Sequence, residues 1–472
     1  MSQLPADCLN DIFEYLEDNG VTLQSCLLVN RLWCEVSVGI FWRTIRKFST
    51  LITCLPNESK EILYKNEIIT STLMSKSPIF NYVSFCKLIR VSELNCNIKH
   101  FFDKQQANSS QSLVDKGNIM SQEIYKLLMN QISSLKELDF YPSLKEDIPF
   151  PNFIFTSHPG ARTCLRDLSV FHCYSDVHSD ILYHLSQICH NIQTLSLQLC
   201  NVISNGLTNL ISTQQNLKHL SFYRFEPYTN LKDIITSLTN FHNTLIELYI
   251  IGRQIPLSFF VNFTNLQRIK LSIFDNESFE DYEELQYITF SQLQFLKFKY
   301  GCPQRELLIK FLKNNGNNLK ELYVIERSKS FNLSIIKFCP KIKRLYTGLT
   351  NYDLETLIMI FNKCKYLESI KIYCEGDLNE KDLFEVVTKY SPRSFYKLKL
   401  EYDQYARSKL IPKELESFFV SWTNRVPQQP LYLIVNDLMV TDSSFEKDGE
   451  NMKIIEKFVK LGILTFRKKY RF

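Results

Sequence analysis

Between residues 164 and 400 the chain repeats one short pattern ten times. The segments LRDLSV, IQTLSL, LKHLSF, LIELYI and LQRIKL follow one another. LQFLKF, LKELYV, IKRLYT, LESIKI and FYKLKL come next. Each carries apolar residues at i, i+3 and, Thr347 apart, i+5. The first members are Leu165, Ile192, Leu217, Leu245, Leu266, Leu293, Leu319, Ile342, Leu367 and Phe395, spaced 21 to 28 residues apart. SLKELDF at 134–140 reads as an earlier member. A period of roughly 26 residues is the size of one supersecondary unit, which points to a stacked array.

The positions i+3 and i+5 lie two apart and therefore on one side of a short strand. Helix-compatible stretches such as DILYHLSQICHN, LSIIKFCPK and LETLIMIFNKCKY precede many of the strands. A coil of one strand and one helix cannot bury its apolar face alone, but stacked coils bury a continuous core. The L-x-x-L-x-L pattern resembles the leucine-rich repeat. The resemblance implies an α/β solenoid with short parallel strands on a concave face and helices on a convex one. Cys173 and Cys200 fall where that repeat carries Asn or Cys. Cys189, Cys339 and Cys364 end helical stretches just before the next strand.

Composition narrows the setting. Of 472 residues, 45% are hydrophobic and 22% charged, which suits a folded chain and not a disordered one. The net charge is only +5, which by itself indicates neither nucleic acid nor membrane as a partner. No apolar run is long enough to span a bilayer, and the first residues carry no leader pattern. N-x-S/T matches such as Asn262-Phe263-Thr264 are then chance. Fourteen cysteines without a CxxC pair fit reduced thiols, so the expected location is cytoplasmic, nuclear or both.

The N-terminus has its own signature. In LPADCLNDIFEYL, residues 4–16, Leu9, Ile12, Phe13 and Leu16 have i, i+3, i+4, i+7 spacing behind a Pro suited to a helix start. Leu23, Cys26, Leu27 and Val29 follow, then NRLW ending at Trp33 and GIFW ending at Trp42. This combination resembles the F-box over residues 3–45. Asp7 stands where Glu is usual, and Gly39 where Pro is common. The resemblance implies a three-helix module that docks on the Skp-type adaptor of cullin–RING ubiquitin ligases. It carries over Leu4, Pro5, Leu9, Ile12, Phe13, Leu16, Leu27, Val29, Trp33 and Trp42 as adaptor-facing or shared-core positions. About forty residues cannot build a large core, so such a module is expected to complete its burial against another subunit.

The expected organisation is an F-box at 1–45, a helical or irregular linker region at 46–130, a solenoid at 131–440, and a helical cap with a basic tail at 441–472. The polar stretch 104–118 reads as an exposed loop. Four prolines at 141–162 read as a bulge from the solenoid. PLYLIV at 430–435 reads as a last strand, and FRKKYRF at the end as a solvated tail.

Phosphate-binding, metalloprotease, nucleophile-elbow and calcium-loop motifs are absent from the sequence, so no catalytic residue and no cofactor is expected. Cys164, His172, Cys173, His178, His184, Cys189 and His190 lie close in sequence, but their spacing matches no compact zinc module. The expected binding surface is the concave face. Its candidates are Tyr223, Tyr249, Arg268, Lys270, Lys297, Lys299, Tyr323, Arg344, Tyr346, Lys371, Tyr373 and Lys399, with Lys397 beside them. Rows of Tyr and Lys/Arg suit an acidic or phosphorylated segment of a protein client. Exposed strand positions also simply tolerate these residues, and Glu247, Glu321 and Glu401 interrupt the stripe. The F-box resemblance, with a repeat array behind it, implies the substrate-recognition subunit of an SCF-type E3 ubiquitin ligase. The alternative is a non-degradative repeat scaffold.

Overall fold

The computed structural model describes residues 4–74, 77–103, 110–141, 154–200, 202–224, 231–253, 256, 258–274, 282–378, 380–403, 405–425, 429–437 and 444–470. The chain is mixed α/β and divides into two compact units, Met1–Phe241 and His242–Phe472.

The first unit opens with three helices, α1 (Ala6–Glu14), α2 (Gly20–Cys26) and α3 (Arg31–Phe41). Five parallel strands follow in chain order: β1 (Leu88–Arg90), β2 (Glu137–Asp139), β3 (Val170–Tyr174), β4 (Thr194–Leu199) and β5 (His219–Arg224). Helices such as Val91–Asp103, Ser110–Gln131, Ser179–Ile188 and Asn205–Ser212 connect them.

The second unit continues the plan. Strands β6 (Glu247–Gly252), β7 (Arg268–Ile273), β8 (Phe295–Tyr300), β9 (Glu321–Tyr323), β10 (Arg344–Thr350) and β11 (Ser369–Cys374) pair in parallel. A two-stranded side pair, β12 (Asp377–Leu378) and β14 (Arg407–Ser408), flanks the main order. That order runs on through β13 (Lys397–Tyr402), β15 (Leu431–Asp437) and β16 (Leu464–Tyr470).

Nine of the ten expected segments hold their phase. Ile192, Leu195 and Leu197 are buried, as are Leu319, Leu322 and Val324 in a later coil. The segment at Leu165 is shifted by three residues. Phe171 pairs with Leu195 and Cys173 with Leu197, so this coil begins at Leu168. Cys173 is therefore a core side chain of the strand and not the residue leaving it. Burial drives its thiol pKa well up. The apolar run around Leu165 belongs instead to the short helix Ala161–Leu165.

Two boundaries also move. The region 46–130 contains a coil strand, β1, whose Ile89 pairs with Leu138. Cys86, Ile89 and Val91 are its buried i, i+3 and i+5 residues, a combination without the expected leucines. At the other end, PLYLIV is β15 but not the last strand. The basic tail forms β16, with Phe466 paired to Leu433 and Arg467 to Ile434. Its alternation puts Leu464 into the core while Arg467 stays exposed. Of the polar stretch 104–118, residues 110–118 belong to the helix Ser110–Gln131, and 104–109 lie outside the described residues. Most of the proline-rich stretch, 142–153, also lies outside them. Just after it, Phe155 stacks on Tyr125 at 4.8 Å between ring centroids.

In several coils a polar side chain or a thiol sits in the core where the helix turns into the next strand. Cys189, Cys339 and Cys364 occupy that place, as their spacing predicts. Gln214 and Asn315 occupy it in other coils. Asn315 accepts a hydrogen bond from the Phe290 amide at 2.6 Å and donates to the Ile288 carbonyl at 2.8 Å. Gln214 accepts from the Ile192 amide at 2.9 Å and donates to the Cys189 carbonyl at 2.8 Å. Each clips one coil to its predecessor and satisfies backbone groups that would otherwise be orphaned.

Two outcomes test this account. Asn315→Ala removes the side-chain hydrogen bonds to the Phe290 amide and the Ile288 carbonyl and should cost about 1–3 kcal/mol in urea denaturation. Removing residues 464–472 should destabilise the chain by on the order of 2–5 kcal/mol, as uncovering a core does, whereas trimming a solvated tail would leave the unfolding midpoint in place.

Candidate functional site

The helical head has a closed core of its own. Leu9, Phe13, Leu23, Cys26 and Ile40 are buried together, with Leu16, Leu32, Trp33, Val36 and Phe41 packed against them. Phe13 meets Trp33 edge-on at 5.1 Å. Two asparagines set the helix starts. Asn19 Oδ1 accepts from the Thr22 amide at 3.1 Å, and Asn30 Oδ1 from the Trp33 amide at 2.9 Å. Asn30 of NRLW is thus an N-cap, the role for which this residue type is favoured.

The ten residues carried over from the F-box resemblance sort into three groups. Leu9, Phe13 and Trp42 are buried within the chain. Leu16, Leu27 and Trp33 are half-buried. Leu4, Pro5, Ile12 and Val29 face water, Ile12 at 47% and Val29 at 56% exposure. Trp42 packs against Tyr82 at 4.6 Å, so it anchors the head to the chain behind it. Tyr15, Val21 and Leu28 are further exposed apolar side chains that the motif does not name. At 100° per residue, Cys8 and Ile12 adjoin Leu9 and Phe13, so apolar residues span roughly 140° of α1.

Arg43, which the sequence reading passed over, joins the head to the strands. Its guanidinium donates to Glu14 through both Nη atoms, one of them at 2.7 Å, and Nη1 lies 3.0 Å from Glu17 Oε2. This pairing holds the Glu14 carboxyl below its usual pKa and raises that of Arg43. The Arg43 carbonyl accepts from the amides of Lys87 and Leu88 at 2.8 and 3.1 Å, and Thr44 bridges to Leu88.

In the second unit, the strand positions that alternate with the core form an open sheet face. One registered row crosses seven strands as Tyr249, Lys270, Lys297, Tyr323, Tyr346, Lys371 and Lys399. Tyr323 and Tyr346 stack at 4.4 Å in its middle. Lys297 Nζ lies 5.6 Å from the Tyr323 ring centroid, and Lys399 Nζ lies 4.2 Å from that of Tyr346. Arg268 covers Phe295 at 4.1 Å, an aromatic in a leucine-like segment that the sequence reading left out. Two expected surface tyrosines are in fact covered, Tyr346 at 6% and Tyr373 at 7% exposure. Lysine stems and ring stacking remove them from water. Tyr346 Oη and Ser369 Oγ are 3.0 Å apart, and Tyr373 Oη accepts from Lys371 at 2.6 Å.

Three carboxylates are spoken for. Glu247 pairs with Lys270 at 2.6 Å and Arg268 at 3.6 Å. Glu321 pairs with Arg344 at 3.0 Å, and Glu401 with Lys371 at 2.9 Å. Among the described residues, none pairs with Lys297 or Lys299. Burial, and then the charges of Lys299, Lys270, Lys399 and Lys371, lower the Lys297 pKa.

Tyr223, also expected on this face, belongs to the first unit. There Tyr141 lies 5.8 Å from His172, 5.7 Å from Tyr174 and 6.2 Å from Tyr223. His172 Nε2 is 3.4 Å from Glu137, whose carboxyl it holds below the usual range. The three-residue slip in the phase of that coil concealed His172 and Tyr174 as face residues. No group of three or more His, Cys, Asp or Glu among the described residues is arranged to hold a metal ion.

No family model matches the chain, and no curated protein matches it. Among solved structures it is similar to the leucine-rich repeat-containing protein LegL7 from Legionella pneumophila. The identity is 12%, over 62% of this chain and 93% of that chain, with a TM-score of 0.33.

The lowered pKa of Lys297 has a stability consequence with a definite sign. The unfolded chain binds this proton more tightly, so the charged amine is a penalty at neutral pH. The penalty fades as pH rises from the folded pKa towards the ordinary lysine value of about 10.4. Lys297→Met should therefore raise the thermal midpoint at pH 7, and its advantage over the wild type should shrink in alkaline buffer.

Proposed function

We propose that this chain is the substrate-recognition subunit of an SCF-type cullin–RING ubiquitin ligase. In this reading the head is an F-box that docks on a Skp-type adaptor, and the open faces of the repeat strands bind a protein client in the cytosol or nucleus. The chain performs no covalent step. It raises the effective concentration of a client lysine beside a conjugating enzyme held elsewhere in the complex.

One observation carries the proposal. The head closes a core around Phe13 and still leaves Leu4, Ile12, Tyr15, Val21, Leu28 and Val29 in water. Burying one such side chain against a partner contributes about 1.5–3 kcal/mol. A concentration of apolar side chains on so small a module marks an interaction surface. The F-box pattern in the same residues supports a Skp-type adaptor as that partner. The repeat array supports the client-binding half of the reading, because stacked coils present an extended surface.

The test uses the full-length chain and a purified Skp-type adaptor. Ile12→Asp and Val29→Asp should abolish capture while shifting stability by no more than about 0.5 kcal/mol, as exposed substitutions do. Trp42→Ala should lower the thermal midpoint instead, because that ring is internal. Failure of the wild-type chain to capture the adaptor, or capture undiminished by both aspartates, overturns the proposal. Client half-life in cells, measured with and without this chain, separates a degradative receptor from a scaffold.

A further inference from the structure

The strands β6–β11 and β13 carry eight cations on their open face: Arg268, Lys270, Lys297, Lys299, Arg344, Lys371, Lys397 and Lys399. They carry three carboxylates, Glu247, Glu321 and Glu401. The local excess of five equals the net charge of the entire chain. On these strands cations therefore outnumber carboxylates by more than two to one.

The arrangement is not that of a solvated fringe. In the registered row, Lys270 and Lys297 stand on one side of the stacked Tyr323–Tyr346 pair, and Lys371 and Lys399 on the other. Lys297 and Lys399 lean inward over the two rings from opposite sides. Solvated lysines would spread outward to lower their repulsion. Here ring faces draw the amines together, and Lys297 and Lys299 have no carboxylate partner among the described residues.

We infer that the face around Lys297, Lys299 and Lys399, above the Tyr323–Tyr346 stack, is the binding site for an acidic segment of the client protein. Its ligand is a run of clustered anionic side chains, carboxylates or phosphates, whose charges settle between the converging amines. This rests on the reading of the open sheet face as the client-binding surface. Nucleic acid fits less well. Glu247, Glu321 and Glu401 punctuate the face and oppose a continuous phosphate backbone. Tyr346 is stacked and covered, which leaves little ring surface for bases. A peptide places its charges at intervals and can pass the carboxylates with neutral residues.

The full-length chain is titrated with three labelled peptides: an oligoglutamate, a multiply serine-phosphorylated peptide, and a matched glutamine peptide. Wild-type protein should bind the first two in a salt-sensitive manner and the third not at all. Lys297→Gln/Lys399→Gln should weaken acidic-peptide binding on the order of tenfold or more. Lys363→Gln/Lys365→Gln, on exposed positions outside the strands, should leave it unchanged. Should the first double variant fail to fold, the single Lys297→Gln carries the test and should still weaken binding several-fold. Tighter binding of the phosphopeptide assigns phosphate as the source, and equal binding assigns carboxylate clusters. Wild-type affinity in the Lys297 and Lys399 variants overturns the inference. So does tighter binding of a single-stranded oligonucleotide that those variants abolish. Adaptor capture is measured on the same proteins. Its absence alongside intact peptide binding refutes the ligase reading and leaves the acidic site standing.

Discussion

Each coil of this protein depends on its neighbours for a core. A strand supplies two or three inward side chains, and its helix supplies a few more, which is far too little to offset the cost of ordering some 26 residues. Stacking supplies the remainder. Leu195 and Leu197 lie between Phe171 and Cys173 on one side and Leu220 and Phe222 on the other. The parallel ladders add backbone pairing, and Gln214 and Asn315 complete it where helix gives way to strand. Irregular spacing between coils is tolerable because only the strand and its entry must match from one coil to the next. Connections of different length can follow behind.

The same constraint explains how the head is attached. Three short helices close a small core, but their end must be held to something rigid. Arg43 makes that connection with its side chain on α1 and its carbonyl on the edge of β1. Trp42 adds an aromatic contact to Tyr82. The apolar side chains left over are those on the far side of α1 and around the turn into α3. Internal packing has taken Leu9, Phe13 and Trp42, and the outward residues Ile12 and Val29 stay in water.

The open sheet face of the second unit shows a different economy. A core selects apolar residues at every second strand position, and the alternate positions are released from that demand. Most proteins would fill them with mixed charges. Here lysines are drawn over tyrosines, and burial, then the charges of neighbouring lysines, works against the Lys297 ammonium.

The alternation of apolar residues was legible before any coordinates, because burial between coils demands it at fixed offsets. It determined the coil of strand and helix and nine of the ten strand phases, while the resemblance to the leucine-rich repeat implied that the strands run parallel. The paired tryptophans and the helix stripe likewise marked out the head. Signals that depend on neighbours far along the chain were not legible. β1 uses Cys86, Ile89 and Val91, a set without a strand signature of its own, and only pairing with β2 reveals its state. The basic tail has the composition of a solvated end, and only β15 turns it into a strand. Leu165 and Leu168 both suit the first repeat position, and the register with β4 selects Leu168. Which head residues face outward, and which tyrosines lie beneath lysines, follows from distances between side chains on different elements. A linear pattern states what each residue prefers, and tertiary packing decides which of those preferences are satisfied at once.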